Sequence, residues 1–272
     1  MFDIYIHSNK KNTIPAKVGK YTFEKLNDKT VEIVNMEFFE KLMKKNRKQF
    51  IRNNNICELN TNSSQSFFLV RFLVPYYHKY ILKKDTKWLL VTDPDIFCIK
   101  PINEELDKYI LEAESKNKDI ICYNNLSSFM LINTHNFIWN PDELLDKVFD
   151  KKDNFDNYML LKKYDSIILD IPEYFNHYDK LDKNTKCLHT SLTTTQPWKC
   201  GLPYLLHDLH NIPYNSKNKT VFHFDQHKNK EIENKFFELF NETYKNGEIT
   251  DEDIKEALDC EGLRKDYKKF II

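Results

Sequence analysis

The stretch from Lys87 to Pro101 constrains the fold of this chain more than any other part of the sequence. Its first half, Trp88 to Val91, is an unbroken apolar run, which is typical of a strand buried on both faces in a parallel sheet. Two carboxylates follow, Asp93 and Asp95, with one proline between them. Pro94 fixes its own φ and disfavours a helical conformation at the residue before it. The sequence therefore predicts two neighbouring acidic side chains at the end of a buried strand.

Two carboxylates this close repel each other unless they share a cation or a proton. Mg²⁺ and Mn²⁺ prefer oxygen ligands and commonly bridge to substrate phosphates, so a metal–diphosphate site is one interpretation. The other is a solvated Asp-Pro turn, which is the commoner explanation of such a tripeptide taken alone. The position at a strand end favours the metal site, because open α/β sheets bind ligands at the carboxyl ends of their strands.

The first fifty residues predict alternating strands and helices. Phe2–Ile6 and Val31–Val34 have strand patterns, whereas Pro15–Leu26 and Phe38–Phe50 have helical ones. A β-α-β opening implies a parallel sheet with right-handed crossovers, so we expect an α/β fold in which helices flank a mixed, mostly parallel sheet.

Residues Asn53–Ser64 are polar and predict a surface loop. The apolar segment Ser66–Tyr77 then predicts a largely buried helix that carries one arginine, Arg71. A buried arginine needs a partner, because an unpaired buried charge is costly. Two alternatives follow: a salt bridge to a core acid, or a side chain directed at the Asp93 and Asp95 site that binds a phosphate or a sugar.

Beyond the acidic pair, the pattern predicts further strands at 119–123, 128–133, 166–171 and 186–189, and helices at 103–116, 141–148, 231–244 and from Thr250 onward. No repeat or flexible linker interrupts the sequence. We therefore expect one principal domain, residues 1–215, and a helical appendage of the same domain, residues 216–272.

Composition excludes several classes of protein. Lys and Arg total 41, as do Asp and Glu, so the formal charge is zero and a nucleic-acid binder is disfavoured. Four glycines are too few for a Gly-rich phosphate loop. The six cysteines are not closely spaced, which favours free thiols in a reducing compartment. Without a signal-like or membrane-spanning run, we expect a cytoplasmic protein, with peripheral membrane contact left open.

Several segments, in this order, resemble one enzyme family. They are Val70–Leu73 with its arginine, the Asp-Pro-Asp strand, Phe129–Asn133, and a histidine, His189, followed by Gln196–Trp198. Over residues 1–215 the chain resembles the retaining GT-A glycosyltransferases that include glycogenin and the bacterial lipopolysaccharide galactosyl- and glucosyltransferases.

This resemblance implies a GT-A fold and the transfer, with retention, of a hexose or N-acetylhexosamine from a UDP-sugar to a glycan, lipid-linked or protein acceptor, as in polysaccharide biosynthesis. It implies that Asp93, Asp95 and His189 hold Mn²⁺ or Mg²⁺, with Asp93, Asp95 and Arg71 as catalytic residues. The implied donor contacts are Ile6, His7, Arg71, Asp93, Asp95, Gln196 and Trp198, although core packing is the alternative for Trp198.

The chain departs from the family pattern around the implied donor site. Threonines at 193–195 stand where the family has glycine, and Gln196 stands where it has lysine. Ser127 and Ser128 replace a Gly-rich element. These departures leave open a catalytically impaired, nucleotide-sugar-binding scaffold. An Asp-x-Asp phosphatase is disfavoured, because Phe97 occupies a position where that class needs threonine or valine.

Overall fold

The computed structural model describes residues 2–35, 39, 49–52, 55–58, 69–149, 155–205 and 220–271. The strands are β1 (Phe2–Ser8), β2 (Val31–Asn35), β3 (Gln49–Arg52), β4 (Asn55–Glu58), β5 (Trp88–Thr92), β6 (Ile96–Cys98), β7 (Ile120–Cys122), β8 (Phe129–Asn133), β9 (Ile168–Asp170), β10 (His177–Tyr178), β11 (Cys187–His189), β12 (Pro203–Leu205) and β13 (Val221–His223). The helices are α1 (Thr13–Asn27), α2 (Val70–Tyr76), α3 (Asn103–Ser115), α4 (Pro141–Phe149), α5 (Phe155–Met159), α6 (Lys230–Lys245) and α7 (Asp251–Asp259).

A six-stranded sheet in the order β2-β1-β5-β8-β7-β9 forms the centre of the molecule. β1 pairs in parallel with β2 and β5, and β7 pairs in parallel with β9. β8 is antiparallel to both of its neighbours, β5 and β7, so the other five strands share one direction. The expected α/β fold with a mixed, mostly parallel sheet is confirmed.

The apolar run of β5 is buried because hydrophobic clusters cover both faces of the sheet. Side chains alternate along a strand, so Leu89 and Val91 pack on the α2 side, whereas Trp88 and Leu90 pack on the side of α1 and α3. All five residues of β5 are buried. The central strand therefore fixes where its carboxyl end, with the acidic pair, lies in the fold.

A second, three-stranded sheet, in the order β10-β11-β6, continues from the acidic pair. β6 begins directly after Asp95 and pairs antiparallel with β11, which places His189 opposite Ile96. This short ladder brings two segments almost a hundred residues apart in sequence to the same edge of the central sheet.

Helices α6 and α7 pack against α1 through a third apolar cluster, which includes Val18, Trp198 and Phe236. The helix predicted from Thr250 onward is α7, and Thr250 and Asp253 form a capping box at its start. The predicted domain boundary at residue 215 lies outside the described residues. Among the helices that the structure describes, none is long and apolar enough to cross a membrane.

Two sequence-based expectations differ from the structure. The segment 53–64 was expected to be a loop, but β4 lies within it and pairs antiparallel with β3. The helix expected at 38–50 overlaps β3 at its end, while residues 40–48 lie outside the described part. Two asparagines between short strand-forming runs are a hairpin signal, which outweighs the polar composition of the segment.

Gly19 allows α1 to lie against the backbone that follows the acidic pair. A Cβ at this position would lie 3.0 Å from the carbonyl oxygen of Ile96 and 3.2 Å from Cδ1 of Ile6. We expect Gly19→Ala to lower the free energy of unfolding by ~1–3 kcal/mol through overpacking, despite the better helix propensity of alanine. Urea unfolding measures this, with Lys20→Ala as the control; an unchanged or higher midpoint for Gly19→Ala would contradict the close approach.

Candidate metal and donor site

The acidic pair lies at the carboxyl end of β5, and its backbone is held from two directions. The amide of Asp93 donates to the carbonyl of Ser128 at 2.9 Å, and the carbonyl of Asp95 accepts from the amide of Thr190 at 3.0 Å. Asp93 is 6% exposed and Asp95 is 8% exposed. Both carboxylates are thus largely removed from water on a backbone anchored to β8 and to the segment after β11.

Asp93 is held by two partners. Nη2 of Arg71 lies 2.7 Å from Oδ1 of Asp93 and 3.0 Å from Oδ2. Nε2 of His7 lies 2.7 Å from Oδ1. The other guanidinium nitrogen of Arg71 donates to Oγ of Ser127 at 3.0 Å. The structure combines the two alternatives for Arg71: it forms a salt bridge to a core acid, and that acid is Asp93 of the predicted site. A contact of Arg71 with a phosphate or a sugar stays a prediction.

These contacts determine the charge of Asp93. Burial alone raises the pKa of Asp93, but the Arg71 guanidinium and the His7 hydrogen bond outweigh it and lower the pKa below the usual value. Burial also lowers the pKa of His7, so this imidazole is neutral and donates its Nε2 proton to the carboxylate. Asp93 is therefore ionised and oriented by groups from β1 and α2.

Asp95 contacts the segment that follows β11. Nε2 of His189 lies 3.5 Å from Oδ1 of Asp95, and the Gln196 amide donates to Oδ2 at 2.8 Å. Burial lowers the pKa of His189, but the carboxylates of Asp95 and Asp93 outweigh burial and raise the pKa overall. The negative potential at this point therefore favours a cation.

One ligand atom each from Asp93, Asp95 and His189 lies within 4.8 Å of the other two. Ligand atoms on opposite sides of one Mg²⁺ ion are ~4.2 Å apart, because each bond is ~2.1 Å long. The three atoms are therefore near enough that small side-chain movements would let them share one ion. Two carboxylates and an imidazole are a donor set that suits a divalent metal.

Asn176 holds His189 in the tautomer that a metal site needs. Its amide nitrogen donates to Oγ of Ser128 at 2.9 Å, which leaves its carbonyl oxygen 2.8 Å from Nδ1 of His189. Nδ1 of His189 therefore carries a proton, which leaves Nε2, the nitrogen on the side of Asp95, as the atom that would bind a metal. Tyr178 also packs its ring 4.5 Å from the His189 ring and contacts Oγ of Ser128 through its hydroxyl at 2.7 Å.

Sequence reasoning missed Asn176 and Tyr178. They become part of the site because β10, only two residues long, pairs with β11 and places Tyr178 next to His189. An Asn-His-Tyr run in a polar segment carries no period or spacing that would identify it. Burial raises the pKa of Tyr178 to about 12, so its hydroxyl remains protonated at neutral pH.

Of the other residues predicted to contact the donor, one lies in the site and two lie in the hydrophobic core. Gln196 lies in the site, on Asp95. Trp198 is fully buried and packs against Phe97 and Phe236, which favours the core-packing alternative. Ile6 is also fully buried, and its side chain belongs to the cluster beneath α1.

We expect Asn176→Ala to weaken Mn²⁺ binding ~10- to 100-fold, because His189 would lose the hydrogen bond that fixes its tautomer and ring orientation. Calorimetric titration with Mn²⁺ measures the effect. Asn184→Ala, in an exposed turn before β11, is the control and should bind as the wild type does. Equal Mn²⁺ affinity in both variants would contradict the role given to Asn176.

No protein-family model and no curated protein matches the sequence. Solved structures do match. The galactosyltransferase LgtC, in complex with donor and acceptor sugar analogs, superposes with a TM-score of 0.52 at 11% identity, covering 91% of this chain and 100% of LgtC. The glycosyltransferase GlyE of Streptococcus pneumoniae TIGR4 gives a TM-score of 0.51 at 11% identity, covering 91% of this chain and 64% of GlyE. With its central sheet and the carboxylate pair at the end of β5, the chain has the GT-A fold of these glycosyltransferases.

Proposed function

We propose that this chain is a metal-dependent glycosyltransferase that moves a hexose or N-acetylhexosamine from a UDP-sugar to a glycan, lipid-linked or protein acceptor in the cytoplasm, with retention. The observation that carries the proposal is the convergence of Asp93, Asp95 and His189 at the carboxyl edge of β5. In a sheet of this kind, that edge is where ligands bind.

Asp93, Asp95 and His189 would hold Mn²⁺ or Mg²⁺, and the histidine favours Mn²⁺. When bound, such an ion supplies Lewis-acid stabilisation of the charge that develops on the departing nucleoside diphosphate. The protein's own part is to orient both carboxylates and to keep Asp93 ionised. Arg71 acts on Asp93, and the Gln196 amide acts on Asp95.

Gln196 also offers a contact for the donor. Its amide nitrogen is engaged by Asp95, whereas its Oε1 is buried without a hydrogen-bond partner among the residues that the structure describes. A buried acceptor left unpaired costs ~1–3 kcal/mol, so a ligand that donates to it gains affinity. A hydroxyl of the donor's sugar has the required chemistry.

The surroundings of Asp93 disfavour the phosphatase alternative. A nucleophilic carboxylate needs an oxygen free to attack phosphorus, and here Oδ1 contacts both His7 and Arg71 while Oδ2 contacts Arg71. The scaffold alternative predicts binding of the same ligands without turnover, so it is separated from the enzyme by a rate measurement.

The test is release of UDP from a panel of UDP-sugars, measured with Mn²⁺, with Mg²⁺ and with excess EDTA. The proposal expects release with at least one donor in the presence of metal, stimulated by a glycan acceptor and abolished by EDTA. NMR of the product's anomeric configuration then tests retention. Metal-dependent UDP binding without release, over the whole donor and acceptor panel, would favour the scaffold.

A further inference from the structure

Lys199 is a buried cation that has no carboxylate partner in the part of the chain that the structure describes. Lys199 is only 7% exposed, and no carboxylate among the described residues lies within salt-bridge distance of its Nζ. The recorded contacts of Nζ are Oδ1 of Asn12 at 3.3 Å and the ring of Phe224, whose centroid is 5.5 Å away. Neither contact neutralises a positive charge.

The position of Lys199 places it beside the metal and donor site. It lies three residues after Gln196, and its own amide donates to the carbonyl of Gln196 at 2.9 Å. Asn12 follows β1 and donates to Oδ1 of Asn9 at 2.7 Å. β1 and β5 are adjacent and parallel, so their carboxyl ends meet at one edge. The amine therefore lies on the β1 side of that edge, within electrostatic range of Asp95.

A charge count shows why a cation is needed there. Asp93 is balanced by Arg71, which leaves the single negative charge of Asp95 against the two positive charges of a divalent ion. The diphosphate of a sugar nucleotide brings two negative charges, so the complex would retain one negative charge in a poorly solvated site. One further cation closes the balance, and Lys199 is a buried cation that forms no salt bridge with any described carboxylate.

We propose that Lys199 is a donor-binding residue, whose amine contacts the diphosphate of the sugar nucleotide from the β1 side of the site. This inference rests on the function proposed above. Asn12 then positions the amine, since its carbonyl oxygen accepts from Nζ while its amide nitrogen is fixed by Asn9.

If Lys199 only stabilised the fold, its removal would lower the Tm. The donor-binding role predicts the opposite. Burial lowers the pKa of Lys199 to about 8, while Asp95 opposes the change and Lys11 adds to it. Because this value lies below that of the unfolded chain, folding is disfavoured while the amine is charged, and stability increases as the pH rises above about 8. Removing the charge with Lys199→Met should therefore leave the Tm at pH 7 unchanged or higher.

The experiment is calorimetric titration of the full chain with UDP and with inorganic pyrophosphate, each in the presence of Mn²⁺. We expect Lys199→Met to bind both ligands ~10- to 100-fold more weakly than the wild type at pH 7, the loss typical of a charge-assisted hydrogen bond. Mn²⁺ binding alone should be unchanged. Lys10→Met, an exposed lysine near Asn12, is the matched control and should bind both ligands as the wild type does.

The pH dependence of ligand affinity supplies a second test. The groups whose charge acts on the amine are Asp95, Lys11 and the Cys260 thiol. Between pH 7 and pH 9 the amine of the free wild-type protein loses its proton, so the difference in affinity between wild type and Lys199→Met should shrink. A difference that is constant over this range would overturn the charge-based account.

The two proposals fail in different ways. If the wild type binds neither UDP nor pyrophosphate with Mn²⁺, the proposed function is wrong. If the wild type binds them and Lys199→Met binds equally well, the proposed function stands and the role of Lys199 is wrong. A lower Tm together with weaker Mn²⁺ binding in Lys199→Met would show a structural role and would also overturn the inference.

Discussion

Asp95→Asn is expected to abolish metal-dependent turnover of the UDP-sugar, with a loss of at least ~100- to 1000-fold, comparable to the loss of other electrostatic contacts to a transition state. The substitution keeps the size of the side chain and removes its charge. The ion would then retain one carboxylate and one imidazole from the set of Asp93, Asp95 and His189. Steady-state rates of UDP release at saturating Mn²⁺ measure the effect.

The matched control is Asp170→Asn, which removes an exposed acid at the end of another strand, β9. It should keep wild-type turnover. Circular dichroism of Asp95→Asn should match the wild type and its Tm should not be lower, because asparagine keeps an oxygen that can accept from Gln196 and relieves repulsion with Asp93. Turnover within a few-fold of wild type in a folded Asp95→Asn protein would contradict the metal site.

Arg71→Met is expected to lower the free energy of unfolding by ~3–5 kcal/mol, the cost of leaving a buried carboxylate without its ion-pair partner. Arg71 is fully buried and makes two contacts with the carboxylate of Asp93. Urea unfolding at pH 7 measures the loss. The double variant Arg71→Met/Asp93→Asn should recover part of it, because the uncompensated charge is then absent.

The pH dependence follows from the lowered pKa of Asp93. A carboxyl group whose pKa is lower in the folded state than in the unfolded chain stabilises the fold above its unfolded pKa, and that contribution disappears as the pH falls through the folded value. The stability difference between wild type and Arg71→Met should therefore be full at neutral pH and decrease as the pH falls, because Asp93 of the variant, buried without the guanidinium, takes up a proton at a higher pH than Asp93 of the wild type does. A difference in unfolding free energy that does not change with pH would contradict the ion pair. A double variant no more stable than Arg71→Met would contradict it as well.

The sequence was most informative where the signal is local. The apolar run of β5, the proline and the two acids are contiguous, so both the strand and the position of Asp93 and Asp95 at its end follow from neighbouring residues. Asn140 at the start of α4 was also predictable, and its Oδ1 accepts from the amide of Glu143 at 3.1 Å.

The sequence was least informative where short strands pair over long distances. β6 and β11 have three residues each, and their pairing alone brings His189 to Asp95. Without the family resemblance, no periodicity would connect them. Asn176 depends on the still shorter β10, and the choice between two partners for Arg71 depends on a tertiary distance that no local pattern contains.

The roles of Trp198 and Lys199 could not be predicted from the sequence either, because they depend on tertiary packing. Trp198 next to a proline fits a binding pocket and a core equally well, and its burial against Phe97 and Phe236 is set by α6, far along the chain. From the sequence alone, Lys199 would be interpreted as an ordinary surface lysine. Only the packing of Phe224 and Asn12 around its amine reveals a buried cation.

The most direct test of the account is the linkage between metal and nucleotide in the wild-type protein. Calorimetric titration of UDP, with and without saturating Mn²⁺, gives two affinities, and titration of Mn²⁺ with and without UDP must give the same ratio. The account predicts that Mn²⁺ strengthens UDP binding at least ~10-fold, and that Asp95→Asn removes this enhancement. UDP binding that is equally strong without metal, or an enhancement that survives in Asp95→Asn, would contradict the central claim.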